Sequence, residues 1–175
     1  ILIKDGGAFY SFQKGVSTQK SPSSLMGSIA LIRQNFLDAE WYKNQNGQIN
    51  LSYDAFIKQQ ELPQIFCVND ELDYSRIYNI ADEFEIDFIV KGNGKEFLRV
   101  DEIAKTSFPI IIPINFPNSY EISNPETADW ISLQKLKNWE TAPYNPAIIA
   151  ENEISFCITS ADIKNPKDFL KNLQL

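Results

Sequence analysis

Three short apolar runs begin near residues 64, 86 and 108, each 22 residues after the one before, and the segments between them carry helical spacing instead. Twenty-two residues is about the least that a strand, a helix and two tight turns can occupy. The pattern therefore predicts repeated strand–helix units, with parallel strands and right-handed crossovers. The runs are Gln64 to Val68, Ile86 to Val90 and Pro109 to Ile114, and a fourth follows at Ser155 to Thr159. Helical spacing covers Leu72 to Phe84 through Leu72, Ile77, Ile80, Ala81 and Phe84, then about Phe97 to Lys105. A helical stretch runs from Ser132 towards Ala150, and Pro166 opens a last helix through Leu173.

Ahead of these units the spacing predicts two more helices. Ser21-Pro22-Ser23-Ser24 supplies hydroxyls for a helix start, and Leu25, Ile29, Ile32, Phe36 and Trp41 then fall on one apolar face. Asn44-Gln45-Asn46-Gly47 ends that helix, since Asn and Gly tolerate the left-handed cap. A shorter helix over Leu51 to Glu61 has Ser52 as its expected cap. The predicted fold is α/β with four mainly parallel strands and flanking helices. It is built either as part of a (β/α)8 barrel or as an open α/β sandwich, in a single domain over residues 1–175.

Composition limits the chemistry. The 175 residues are 43% apolar and 13% aromatic, ample for a core. The formal charge of -7 has no basic stripe within it, which argues against nucleic acid as a partner. The longest apolar run, Phe108 to Ile114, is far short of the roughly 20 residues of a membrane span. Cys67 and Cys157 lie far apart inside apolar runs and read as buried free thiols. No histidine occurs at all, which removes imidazole both as metal ligand and as general base. The opening Ile1-Leu2-Ile3-Lys4 has neither an initiator Met nor a basic leader, and the chain reads as a piece of a longer or processed protein.

Polar residues gather just after the predicted strands: Asn69 and Asp70, Lys91 and Asn93, Asn115, and Ser160 and Asp162. In both candidate architectures this edge binds ligands. Turn formation explains many of the same residues, because Asn and Asp are turn formers; Lys91 is the exception. Gly92-Asn93-Gly94 and Lys4-Asp5-Gly6-Gly7 could offer amides to an anion, although neither matches a phosphate-loop fingerprint and a plain tight turn is the expected role.

Three strings bear a family likeness: Ser23-Ser24-Leu25-Met26-Gly27-Ser28-Ile29-Ala30-Leu31-Ile32-Arg33-Gln34, the unit Ala81 to Ile86 running into Lys91-Gly92, and Asn145-Pro146-Ala147 before Ile154. Over about residues 17 to 172 the chain resembles the later part of amidohydrolase-superfamily barrels of the imidazolonepropionase-related kind. The resemblance implies the C-terminal half of a metal-dependent C–N hydrolase barrel, with the four strands as barrel strands five to eight. Members of that family hold one or two divalent metals, usually zinc, through a histidine after strand five, a histidine after strand six and an aspartate after strand eight. Those positions fall here on Cys67 or Asn69, on Lys91, and on Ala161 with Asp162 one residue late. A protonated lysine opposes a cation at the place where one should bind.

The resemblance thus implies a barrel half with a degenerate metal site, a pseudoenzyme segment with no cofactor of its own, zinc belonging to the parent protein. The candidate pocket is Cys67, Asn69, Asp70, Lys91, Asn93, Asn115 and Asp162, with no catalytic residue assigned, and a Cys67–Asp162 metal site is the weaker option. The expected partners are the remainder of the parent chain and a small-molecule ligand. Two other functions are compatible with the residues: an active hydrolase whose ligands come mostly from the N-terminal half, and a small-anion-binding α/β domain. Half a barrel would expose two sheet edges and an apolar inner face, and the long helix from Ser24 to Lys43 is expected to cover that face.

Overall fold

The computed structural model of the chain describes residues 6–15, 18–45, 49–161, 163 and 165–174, Thr127 by its backbone alone. In chain order the elements are β1 (Ala8–Ser11), α1 (Leu25–Lys43), α2 (Leu51–Gln59), β2 (Gln64–Cys67), α3 (Asp73–Phe84), β3 (Phe88–Lys91), α4 (Val100–Ala104), β4 (Ile110–Pro113), α5 (Pro125–Asp129), α6 (Leu133–Thr141), α7 (Asn145–Glu151), β5 (Phe156–Thr159) and α8 (Pro166–Leu173). Short 3-10 turns, Glu96–Leu98 and Ala142–Tyr144, precede α4 and α7. The strands form one open sheet in the order β1-β2-β3-β4-β5. It is parallel at β1–β2, where Ala8 pairs with Gln64, and at β4–β5, where Ile110 pairs with Phe156. The α/β class is as expected, with one strand more than the sequence revealed.

That additional strand is Ala-Phe-Tyr-Ser, too short to show alternation. Gly7 leads into it, and a Cβ there would stand 3.0 Å from Ile65 Cδ1 and 3.1 Å from the Pro63 carbonyl. The glycine lets the incoming backbone lie against β2, where Ala8 N donates to Pro63 O at 2.9 Å. Of the Lys4-Asp5-Gly6-Gly7 anion segment, Lys4 and Asp5 lie outside the described residues.

The chain divides into two compact units, residues 1–90 and 91–175. The first is organised by aromatic rings. Tyr10 of β1 lies 5.8 Å from Phe36 of α1, and Phe36 lies 5.3 Å from Phe56 of α2 and 5.1 Å from Phe84 of α3. Tyr10 also meets Phe66 of β2 and Phe88 of β3. Helices α1, α2 and α3 therefore gather on the sheet face that carries Tyr10, Phe66 and Phe88. Strand alternation puts Phe9, Ile65, Cys67 and Ile89 on the other face, where Phe9 is 68% exposed. Helix α1 does not cover this second face as the sequence suggested. Its buried positions are Ser28, Phe36 and Ala39, whereas Leu25 and Trp41 at the ends of the expected stripe are exposed.

The second unit buries Ile110, Ile112 and Ile114 at β4 together with Ile103 of α4 and Ile149 of α7. α8 is anchored to the strand end by Asn172, whose side-chain amide donates to Ile114 O at 2.7 Å. The caps are side chains of the expected kind: Ser24 accepts from Gly27 N at 3.1 Å, Ser132 from Lys135 N at 3.3 Å and Asn165 from Lys167 N at 3.1 Å. At α2 the cap is Asn50, which accepts from Ser52 N at 3.0 Å, and not Ser52 as expected. Helix α1 ends at Lys43 with Asn44 as its cap, while Asn46 and Gly47 of the expected stop signal lie outside the described residues. Neither cysteine is in a disulfide among the described residues, and only Cys67 is partly buried. Cys157 is exposed, because β5 is an edge strand in which no residue is buried.

Candidate functional site

In the first unit the ends of β1 and β2 meet through Asn69, whose side-chain amide donates to Ser11 Oγ at 3.1 Å. Cys67 is the last residue of β2. The loop that follows is shaped by Asp73, which is buried. One of its carboxylate oxygens accepts from Asn69 N and Asp70 N, both at 3.0 Å, and the other accepts from Arg76 at 2.8 Å. Asp70 is a turn residue: its carboxylate accepts from Leu72 N at 2.8 Å and stands 3.7 Å from Arg76.

The second unit repeats this device with a different residue. Glu96 is 1% exposed, and its Oε1 accepts from Asn93 N at 2.8 Å and Gly94 N at 3.1 Å. Its Oε2 accepts from Asn145 Nδ2 at 2.6 Å, and Asn145 Oδ1 accepts from Phe97 N at 2.9 Å. In both loops a buried carboxylate takes the second and third backbone amides after the strand, which leaves neither loop free as an anion cradle. Gly94, at φ +82, supplies the left-handed turn that brings these amides round. Neither Asp73 nor Glu96 is among the candidate residues that follow from the sequence. Their signal was an acid a few residues beyond an Asn-led strand end, in Asn69-Asp70-Glu71-Leu72-Asp73 and Asn93-Gly94-Lys95-Glu96.

Lys91 is the last residue of β3, half-buried, and shares its strand face with Ile89, away from buried Phe88 and Val90. Asn93 and Asn115 do come together, lining one cavity of about 410 Å³ beyond the ends of β3 and β4. Asp162 lies outside the described residues. A larger cavity of about 570 Å³ in the first unit, lined by Phe36, Glu40, Gln64, Glu85 and Asp87, opens at the N-terminal ends of β2 and β3. In strand–helix folds that end belongs to stability, and ligands bind at the opposite end.

Among the described residues, those at the strand ends do not suit a divalent metal. Asp73 is spent on two amides and a guanidinium, Asn69 and Asp70 build the turn, and Lys91 brings an ammonium group. Among the described residues no three histidine, cysteine, aspartate or glutamate side chains gather as a metal would need.

No protein-family model and no curated protein sequence matches the chain. A solved structure does: an amidohydrolase from Thermotoga maritima MSB8 superposes with a TM-score of 0.70 at 14% identity, over 99% of this chain. The chain thus shares its fold with part of that structure and spans 48%, about half, of its length.

Proposed function

We propose that this chain is a non-catalytic barrel segment of a longer amidohydrolase-like protein, corresponding to the C-terminal half of an imidazolonepropionase-related C–N hydrolase barrel. The observation that carries the reading is the lysine at the end of β3, where the resemblance calls for a metal-binding imidazole, in a chain with no histidine. A cationic side chain at that point raises the cost of a second cation by Coulomb repulsion. The superposition over half of an amidohydrolase supports a parent chain whose remaining strands and ligands complete the barrel. On this reading the segment serves the parent as scaffold, its strands extending a barrel whose hydrolytic zinc would be held elsewhere.

The test is an activity assay of the purified chain on linear and cyclic amides, with zinc or manganese added. The expected rate equals that of metal in buffer alone. A rate that saturates with substrate and is abolished by Cys67→Ser or Asp70→Asn overturns the proposal.

A further inference from the structure

The cavity of the second unit shares Asn93 and Asn115 with the candidate pocket and adds residues that the barrel reading does not use. The charged residues of its lining are Lys95 and Lys135, with no acid among the described lining residues, in a chain of net charge -7. Lys135, Asn138 and Trp139 stand at i, i+3 and i+4 of α6, the spacing that sets three side chains on one helix face. Opposite them come Asn93 and Lys95 from the loop after β3, and Asn115 and Phe116 from the loop after β4. The side chains of Lys95, Asn115, Lys135 and Asn138 have no hydrogen-bond or ion-pair partner among the described residues. Glu96 lies behind this wall, but its carboxylate is engaged by Asn93 N, Gly94 N and Asn145.

We infer that this cavity is a binding site for a small aromatic carboxylate, its ring against Trp139 and Phe116 and its charge between Lys95 and Lys135. The volume of about 410 Å³ falls within the roughly 300–1,000 Å³ of small-molecule sites. Aromatic walls favour a flat apolar body. Two single ammonium groups and side-chain amides suit a monoanion. A phosphate would call for a cluster of free backbone amides or an arginine fork, and the loop amides here are already held by Glu96. The inference stands independently of the hydrolase reading.

The experiment is calorimetric titration of the full chain with 2-naphthoate and, in parallel, the uncharged 2-naphthamide. Naphthoate is expected to saturate one site, with naphthamide weaker by about tenfold, the loss of one charge-assisted contact. Lys135→Glu should weaken naphthoate by at least about that factor and leave naphthamide unchanged, whereas Trp139→Ala should weaken both. These side chains are exposed, so unchanged melting temperatures are expected, and Lys95→Glu serves as a second charge variant if Lys135→Glu fails to fold. Equal affinity for acid and amide, displacement by inorganic phosphate, indifference to Trp139→Ala, or no binding up to the solubility limit would each overturn the inference.

Discussion

Two buried acids hold the strand-end loops, and neither shows in the sequence as part of a catalytic pair, because each spends one carboxylate oxygen on two backbone amides. Glu96 accepts three hydrogen bonds in the interior of the second unit. Glu96→Gln turns one acceptor oxygen into a donor facing an N–H or an amide, at a cost of about 1–3 kcal/mol. Chemical denaturation should show that loss, and amide exchange at Asn93 and Gly94 should quicken. Unchanged stability would mean the loop does not depend on this carboxylate. Asn93 and Asn115 line one cavity, being residues that follow β3 and β4, whereas the Asp70 carboxylate caps a turn.

Tyr10 gives a pH-dependent test at the same scale. Its hydroxyl donates to Gln64 Oε1 at 2.7 Å, and burial pushes its pKa above the ordinary 10.0. The folded state therefore holds this proton more tightly than the unfolded state. The resulting stability is complete below pH 10 and is lost as pH rises through the folded-state pKa. Tyr10→Phe should cost about 0.5–1.5 kcal/mol near neutrality. The gap from the parent protein should narrow as urea melts are taken above about pH 10. A gap that widens with alkalinity would contradict the assigned burial.

At the scale of elements, the 22-residue spacing exposed β2, β3 and β4 because buried strands are apolar throughout, and the helices between them followed from their period. β1 escaped because four residues led by a glycine pair offer no period, and its place depends on contact with Pro63 and Ile65 far along the chain. Helix α1 shows how a correct element can carry a wrong face. Leu25, Ile29, Ile32, Phe36 and Trp41 read as one stripe, yet the helix buries Ser28, Phe36 and Ala39, because the aromatic cluster around Phe36 sets its rotation. Phe36→Ala should cost about 3–5 kcal/mol, whereas Trp41→Gln should stay within about 0.5 kcal/mol. Thermal melts of the two variants check this, and comparable losses would restore the stripe read from sequence.

At the scale of the whole molecule, β1 and β5 are the edge strands of the sheet among the described residues, and Phe9 stands exposed on the face of β1 opposite Tyr10. Such surfaces promote association. Light scattering should give an apparent mass that rises with concentration, and Phe9→Glu should flatten the rise without lowering the melting temperature. A concentration-independent monomer would mean that this face needs no cover. The expected absence of bound metal follows from a donor set in which imidazole is missing and Lys91 ends β3. Elemental analysis of the chain after dialysis against zinc and then a weak chelator tests it most directly. Zinc well below one equivalent is the expected result, and a full equivalent that disappears with Cys67→Ser would contradict the account.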